Sequence, residues 1–205
     1  METTRLGIMG GTFNPIHFGH LLIAEEARQQ LHLDRILFIP SYATPNKDIC
    51  GATAEERLAM VRLAVDSNPH FVVSDMEIRR KGPSYTVDTL RLLRTVYGKD
   101  SGLYFISGTD TIHDLPNWHK PEDVLRLCYF VGASRPDGTE EIAPIITKYG
   151  DLGCKIIPLA VPELEISSTE VRRRLQAGLS VRYMIPDNVA DFIYKNGVYQ
   201  CVHKK

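Results

Sequence analysis

Short apolar runs alternate with longer helix-like segments along this chain, and this alternation restricts its fold more than any other feature of the sequence. The runs with the length and composition of strands are 5–9, 35–39, 71–73, 103–107, 127–133 and 155–157. Strands that are separated by helices predict βαβ units, in which the strands pair in parallel. We therefore expect an α/β fold, a Rossmann-like doubly wound parallel sheet with a small C-terminal helical appendage.

The segments between these runs repeat apolar residues at helical spacing, as Leu58, Val61 and Val65 do. The predicted helices are 21–31, 54–65, 84–96, 140–149, 169–176 and 187–195. Residues 75–80 are expected to extend the third strand as an edge segment. We place an α/β domain at residues 1–165 and a helical segment at residues 166–205.

Charge and composition exclude several classes of protein. The 205 residues carry a net charge of −1, so no overall basic charge favours nucleic acid or an anionic membrane. We expect no signal peptide, and no apolar run approaches the roughly 20 residues that span a bilayer. The cysteines lack C-x-x-C spacing and a histidine cluster, which is typical of reduced thiols in a cytoplasmic protein. The sequence leaves the oligomeric state open and is compatible with a homo-oligomer.

The segment GGTFNPIHFGH at residues 10–20 follows the first predicted strand and opens a helix. Its paired glycines, Gly10 and Gly11, let the backbone approach a ligand closely, and free amides at a helix start favour an anion. His17 and His20 are three residues apart and can share one side of a helical turn. From there, two imidazoles can donate hydrogen bonds to phosphate oxygens.

This segment has other interpretations. Two histidines in a tight turn can be incidental, and zinc binding is a further alternative. The chain has no G-K-[S/T] ending of a P-loop, and its glycines at positions 7, 10 and 11 do not form G-x-G-x-x-G. The second predicted strand also ends at Pro40 without the acid that a dinucleotide-binding motif requires. A hydride-transfer enzyme is therefore not expected.

A second motif, ISSTEVR at residues 166–172, precedes the first C-terminal helix. Ser167 and Glu170 have the spacing of a capping box, which by itself is an ordinary structural explanation. The same geometry presents the hydroxyls of Ser168 and Thr169, free backbone amides and Arg172 at one helix start. That combination suits a polyphosphate.

The first motif resembles the H-x-G-H element of a nucleotidyltransferase superfamily that includes nucleotide and pantetheine-phosphate adenylyltransferases. The second resembles the I-S-S-T-x-[I/V]-R element of the same superfamily. Both occur in order, about 150 residues apart, which is more specific than either alone. The usual pattern has aspartate where this chain has Asn14, a change that keeps the size of the side chain and removes its charge.

Between the motifs, the chain resembles bacterial nicotinate-nucleotide adenylyltransferases along nearly its whole length. The segments that carry this resemblance are PSYATPNK at 40–47, PSYTVDTL at 83–90, GTD at 108–110 with Leu115, Trp118 and His119 following, and SRP at 134–136. The chain departs from the family at Asn46, where histidine is usual, and at His119, where tyrosine is frequent. Each segment also has an ordinary explanation, since Asp110 can be a helix cap and Trp118 a core residue.

The resemblance implies transfer of the adenylyl group of ATP to nicotinate mononucleotide, which gives nicotinate adenine dinucleotide and pyrophosphate in NAD biosynthesis. A phosphate nucleophile is already ionised, so catalysis can rest on alignment and charge neutralisation. Mg²⁺ would be carried by the ATP phosphates, with no metal bound by protein side chains. The segment 166–205 would complete the ATP site. The expected partners are these small-molecule substrates, with no nucleic acid and no membrane.

The resemblance also assigns individual residues to the site. The expected catalytic residues are His17, His20 and Arg172. The expected ATP-binding residues are Gly10, Gly11, Thr12, Phe13, Gly108, Asp110, Ser167, Ser168 and Thr169. The expected substrate-binding residues are Lys47, Tyr85, Thr86, Trp118, His119 and Arg135.

Two alternatives remain at this point. A pantetheine-phosphate adenylyltransferase or a cytidylyltransferase would share the first motif, but the Tyr85-Thr86 and Trp118 segments and the added tail argue against both. A nucleotide sensor without catalytic activity could use the same scaffold. The intact pair of motifs argues against a sensor, and release of pyrophosphate would distinguish the two.

Overall fold

The protein is represented by a computed structural model, which describes residues 4–43, 51–134, 139–162 and 164–199. Within these residues the strands are β1 (Arg5–Gly11), β2 (Arg35–Pro40), β3 (Phe71–Val73), β4 (Gly102–Gly108), β5 (Tyr129–Ser134) and β6 (Ile156–Ala160). They form one sheet in the order β3-β2-β1-β4-β5-β6, and each strand is parallel to its neighbours. The predicted doubly wound parallel sheet is therefore confirmed.

Helices connect the strands. They are α1 (Phe18–Gln30), α2 (Ala54–Val65), α3 (Met76–Arg80), α4 (Thr86–Tyr97), α5 (Thr109–Asp114), α6 (Pro121–Leu127), α7 (Thr139–Lys148), α8 (Ser168–Gln176) and α9 (Asp187–Asn196), with 3₁₀ turns at Leu115–Asn117 and Gly150–Lys155. Across the described part of the chain, none of these helices has the length and apolar character needed to cross a bilayer.

The strand order places a switch point between β1 and β4. From β1 the chain builds outward through β2 and β3, and it then returns to the other side of β1 with β4. Open parallel sheets bind their ligands beside such a point, at the carboxyl ends of the strands. Gly11 and Gly108 are the last residues of β1 and β4. The glycine-rich segments found in the sequence therefore lie where a ligand is expected.

The sheet has an apolar core on each face, because successive residues of a strand point to opposite sides. In β1, Ile8 belongs to the cluster that includes residues of α4, α5, α6 and α7. Its neighbour Met9 belongs to the cluster that includes residues of α1, α2, α8 and α9. The two C-terminal helices thus share one core with the sheet, and the boundary at residue 165 stays a prediction.

The expectation of an edge segment at 75–80 was wrong, because Met76–Arg80 forms the short helix α3. Glu77 and Ile78 are consecutive and both buried. In a strand their side chains would point to opposite faces, whereas a helical turn lets both face the protein. Arg79 also pairs with Asp75 one turn earlier, at 2.9 Å.

The core predicts that two side-chain truncations differ in their effect on the free energy of unfolding. Ile8 lies in the central strand and is fully buried, so Ile8→Ala should lower the free energy of unfolding by about 2–5 kcal/mol. Val96 lies on α4 and is 65% exposed, so Val96→Ala should change it by less than about 0.5 kcal/mol. Urea unfolding of the two variants measures both values. Equal losses would contradict this assignment of the core.

Candidate active site

The loop between β1 and α1 is held by hydrogen bonds donated from distant parts of the chain. Arg57 of α2 donates from Nη1 to the carbonyl of Thr12 at 2.6 Å. Arg172 of α8 donates from Nη1 to the carbonyl of Asn14 at 2.7 Å, and Ser168 Oγ donates to the carbonyl of Pro15 at 2.8 Å. Three carbonyls of the loop are therefore fixed by side chains from outside it.

The side chain of Asn14 adds a further tie to the C-terminal part of the chain. Tyr199 Oη donates to Asn14 Oδ1 at 2.6 Å, and both residues are buried. The Tyr199 ring also lies so close to Gly51 that a Cβ there would sit 2.6 Å from a ring carbon. Gly51 has a φ of +106°, a backbone conformation that favours glycine. Residue 199 thus lies between the loop and the start of the segment that leads into α2.

The two motif histidines form a close pair at the start of α1, as their spacing predicted. Their ring centroids are 3.7 Å apart with an interplanar angle of 33°. His17 is the N-cap residue of α1, and its backbone N–H donates to Nδ1 of His20 at 3.2 Å. Because Nδ1 accepts this bond, the neutral His20 ring carries its proton on Nε2, which leaves Nε2–H as its donor.

Burial keeps both imidazoles neutral. Burial lowers the pKa of His17 to about 4, and it lowers the pKa of His20 well below its usual value, with a smaller contribution from His17. His17 Nδ1 is a buried atom for which the described residues provide no hydrogen-bond partner. At neutral pH the pair therefore offers neutral donors, and a polyphosphate placed beside it would raise both pKa values.

Gly19 explains the glycine of the H-x-G-H motif. A Cβ at this position would lie 3.0 Å from Nδ1 of His17 and 3.6 Å from the carbonyl oxygen of Ile166. Glycine therefore allows the His17 ring, the first turn of α1 and the approach to α8 to come together. The motif spacing thus reflects packing as well as chemistry.

The paired glycines and Phe13 shape the loop. A Cβ on Gly10 would lie 3.0 Å from the ring of Phe105, and one on Gly11 would lie 3.5 Å from the ring of Phe13. Phe13 is buried, has a φ of 48°, and meets His20 edge to face at 5.1 Å. Its buried side chain therefore supports the His20 ring.

The start of α8 lies against the same loop. Ser167 Oγ accepts from the backbone N–H of Glu170 at 3.2 Å, which confirms the predicted cap. The Glu170 carboxylate pairs with Arg173 at 2.7 Å instead of completing the predicted capping box. Arg172 Nη2 donates to Thr169 Oγ1 at 3.2 Å, so Thr169 keeps its own hydroxyl proton for another acceptor.

Gly108 ends β4 on the opposite side of the switch point and is the N-cap residue of α5. Among the described residues, no heavy atom beyond its own chain neighbours lies within 4 Å of the position that its Cβ would occupy. Asp110 follows in the first turn of α5, and its side chain is outside the described part of the structure. Lys47 and Arg135 also fall outside the described residues.

The residues predicted to hold the second substrate lie around the start of α4. Tyr85 is the N-cap residue of α4 without a side-chain capping bond, Thr86 is the first helical residue, and the rings of Tyr85 and His119 are 4.6 Å apart. Trp118 is half-buried and meets Phe105 and Phe130 edge to face at 5.7 and 5.5 Å. The tryptophan thus has a role in the core.

Phe105 connects the two halves of the site, because it lies between Gly10 and Trp118.

Sequence reasoning missed Arg57 and Tyr199. Arg57 is 1% exposed, and it precedes Val61 by four residues and Ala64 by seven, on the buried face of α2. A charged residue in an apolar helical stripe is a signal that could have identified it. Tyr199 carries no such pattern, because its partner Asn14 is 185 residues away in the sequence.

The depressed histidine pKa predicts a pH dependence of stability. Between pH 6.5 and about 4 the unfolded chain binds a proton at His17 that the folded chain does not. The free energy of unfolding should therefore fall as pH falls through this range, by up to about 3 kcal/mol for this residue. Urea unfolding from pH 7 to 4 should give a flatter profile for His17→Gln than for the unchanged protein. His70→Gln, at an exposed histidine, is the control, and parallel profiles for all three proteins would contradict the assignment.

Comparisons with known proteins identify the family to which the chain belongs. Residues 8–174 match the model of the family described as cytidylyltransferase-like. A relative from Thermus thermophilus, named probable nicotinate-nucleotide adenylyltransferase, is 44% identical over 96% of this chain and 100% of its own length. A relative of the same name from Thermomicrobium roseum is 41% identical over 97% of this chain and 93% of its own length.

A solved structure shares the fold at low sequence identity. It is the nicotinic acid mononucleotide adenylyltransferase of Plasmodium falciparum complexed with NaAD, with a TM-score of 0.80, 20% identity, and coverage of 96% of this chain and 97% of that chain. The loop geometry, the paired histidines and the extent of the curated relatives together lead to one assignment. The chain belongs to the family of nicotinate-nucleotide adenylyltransferases, within the cytidylyltransferase-like group.

Proposed function

We propose that this protein transfers the adenylyl group of ATP to nicotinate mononucleotide and releases pyrophosphate. The observation that carries the proposal is the convergence of two phosphate-binding elements at the switch point of the sheet. The His17–His20 pair opens α1, and Ser168 and Arg172 join α8 to the same loop. The relatives that match nearly the whole chain carry the name of this activity.

The chemistry requires alignment more than proton transfer. An oxygen of the mononucleotide 5′-phosphate attacks the α-phosphorus of ATP, the new P–O bond forms, and the bond to the β-phosphate oxygen breaks with its electron pair leaving on pyrophosphate. The attacking oxygen is already ionised at neutral pH, so no general base is needed. Preorganised donors that meet the developing charge supply the main catalytic effect.

The hydrogen bonds of the loop decide which donors remain for ATP. Ser168 donates its only hydroxyl proton to the carbonyl of Pro15. It would therefore bind phosphate through its backbone amide at the start of α8. Thr169 would donate its hydroxyl proton, and Arg172 would use the donors that remain after its bonds to Asn14 and Thr169. His20 would donate from Nε2 near the α- and β-phosphates.

The adenosine half of ATP would lie across the switch point. The open backbone at Gly108 would allow close approach of the nucleoside. On the other side of the switch point, ATP would contact Gly10, Gly11 and Thr12 at the end of β1. Asp110 is proposed to contact the adenosine from the first turn of α5. Lys47 and Arg135 are proposed as cationic contacts of the phosphates.

Magnesium is proposed to enter with ATP. Among the described residues, no three His, Cys, Asp or Glu side chains lie together as a metal-binding group. The imidazoles, hydroxyls and guanidinium of the site bind phosphate oxygens, which fits a metal held by phosphates and water. When bound, Mg²⁺ would neutralise charge on the departing pyrophosphate.

The start of α4 favours the acid over the amide substrate. Its first-turn amides have no side-chain cap from Tyr85, and a helix N-terminus favours an anion. A carboxylate accepts hydrogen bonds at both oxygens, whereas an amide presents donor hydrogens on one side. Donors from the Thr86 hydroxyl, the Thr86 amide and the His119 amide would therefore suit nicotinate.

The activity itself gives a first test. With Mg²⁺ and ATP, the purified protein should release pyrophosphate with nicotinate mononucleotide and not with phosphopantetheine or glycerol 3-phosphate. His20→Ala should lower turnover by about 10²–10³, because a preorganised donor to the transition state is lost. His17→Ala should behave similarly.

His70→Ala, at an exposed histidine far from the loop, is the matched control and should retain full turnover. Turnover of phosphopantetheine alone would overturn the family activity. ATP binding without any release of pyrophosphate would favour a nucleotide sensor. Full turnover in a folded His20→Ala protein would remove His20 from the mechanism.

Substrate preference gives a second test. The ratio of kcat/KM for nicotinate over nicotinamide mononucleotide should be large, up to about 10⁴ where the polar groups are desolvated. Thr86→Ala should narrow this ratio, because it removes a donor that meets only the acid favourably. Trp118→Ala should weaken both substrates by a similar factor, since an indole face stacks on either pyridine ring.

Thr95→Ala, on the exposed side of the same helix, is the matched control and should leave the ratio unchanged. Thermal melts of each variant separate substrate effects from loss of the Trp118 packing against Phe105 and Phe130. Equal efficiency on the two substrates in the unchanged enzyme would refute this site and widen the function to either mononucleotide.

A further inference from the structure

Arg57 joins two loops that belong to different sides of the proposed site. Its Nη1 donates to the carbonyl of Thr12 at 2.6 Å, and its Nη2 donates to the carbonyl of Tyr42 at 3.1 Å. Thr12 follows β1, and Tyr42 follows the neighbouring strand β2. A capping box between Thr53 and Glu56 fixes the helix start from which Arg57 projects. One side chain therefore holds both loops.

The bonds continue from Tyr42 to the start of α4. The backbone N–H of Tyr42 donates to Ser84 Oγ at 3.1 Å, and the backbone N–H of Ser84 donates to the carbonyl of Ala43 at 2.9 Å. Thr86, the proposed contact of the nicotinate carboxylate, is two residues further along. A continuous path of hydrogen bonds thus runs from the loop between β1 and α1 through Arg57, Tyr42 and Ser84. It ends at the start of α4, where the mononucleotide is proposed to bind.

The charge of Arg57 is unusual for a purely structural tie. The residue is 1% exposed, and no carboxylate among the described residues forms an ion pair with its guanidinium. Its Nε is buried without a hydrogen-bond partner in the same part of the chain. Burial lowers the pKa of Arg57, so keeping the charge here is costly. A neutral amide could bond two carbonyls at lower cost, and a nearby polyphosphate would offset the cost of the charge.

We propose that Arg57 is a positioning residue that couples the binding of the two substrates. A triphosphate that accepts hydrogen bonds from backbone amides of the loop fixes the loop backbone, and the Thr12 carbonyl then holds the guanidinium in the arrangement that also fixes Tyr42 and the start of α4. ATP therefore prepares the site for the mononucleotide, and the mononucleotide tightens ATP binding by the same factor, as linkage requires. This inference rests on the proposed two-substrate function.

Binding measurements test the coupling directly. For the unchanged protein, α,β-methylene-ATP should tighten nicotinate mononucleotide binding by about 5–10-fold in calorimetry, and the reverse titration should give the same factor. In Arg57→Lys, one ammonium nitrogen replaces two Nη donors, so the factor should fall below about 2. KM for the mononucleotide at saturating ATP should rise accordingly, with kcat changed less than about threefold.

Because Arg57 is buried and its replacement can unfold the protein, a second variant tests the same path at another residue. Ser84→Ala removes the bond to the Tyr42 amide and leaves Arg57 intact, and it should lower the coupling factor in the same way. Arg62→Lys, the same substitution at a 59% exposed side chain on the same helix, should keep the factor of the unchanged protein. An unchanged factor in folded Arg57→Lys and Ser84→Ala proteins would overturn the proposal, as would a factor of 1 in the unchanged protein.

Hydrogen exchange separates this inference from the activity. The ATP analogue alone should slow exchange of the Tyr42 and Ser84 amides in the unchanged protein and not in Arg57→Lys. If nicotinate mononucleotide fails to bind while this protection is seen, the proposed substrate is wrong, and the link through Arg57 from the loop to the start of α4 stands. If the mononucleotide is turned over and the protection is the same in both proteins, the function stands and the role of Arg57 is refuted.

Discussion

Hydrogen bonds into the carbonyls of residues 12–15 are the interactions on which the rest of the site depends. Buried carbonyls need donors, and this loop receives them from Arg57, Ser168 and Arg172. Since Ser168 and Arg172 belong to α8, the bonds that complete the loop also fix the start of α8 beside it. The two motifs are therefore joined in one structural unit.

In the proposed function, helix dipoles and guanidinium groups supply most of the attraction for anions. Burial makes the His17–His20 pair neutral in the free protein, so the imidazoles act as oriented donors that gain charge only beside a phosphate. The starts of α1 and α8 contribute their backbone amides. Arg172 is half-buried beside the loop, whereas Arg57 is buried. The loop therefore combines a fixed positive charge, that of buried Arg57, with imidazole donors whose charge can change.

Local patterns in the sequence predicted most elements and the pairing of the motif histidines. Alternating apolar runs indicated the parallel sheet, and a spacing of three residues placed the His17 and His20 rings together, as the 3.7 Å separation confirms. The pattern failed at Met76–Arg80, where burial of two consecutive residues favoured a helical turn over a strand. It also could not show that Ser168 bonds to Pro15, because no local pattern encodes a contact across 153 residues.

By itself, the sequence determined what depends on neighbouring residues: the strands and most helices, the cap at Ser167, the paired glycines after the first strand and the facing histidines. These features follow from backbone sterics and helical spacing. Only the tertiary structure decided which donors satisfy the loop, that Trp118 packs between Phe105 and Phe130, and that Arg57 joins Thr12 to Tyr42. Such contacts bring together residues from separate elements. Burial then sets the desolvation cost of their polar groups and the strength of their hydrogen bonds. Their physical origin is packing and desolvation, which no short segment of the sequence contains.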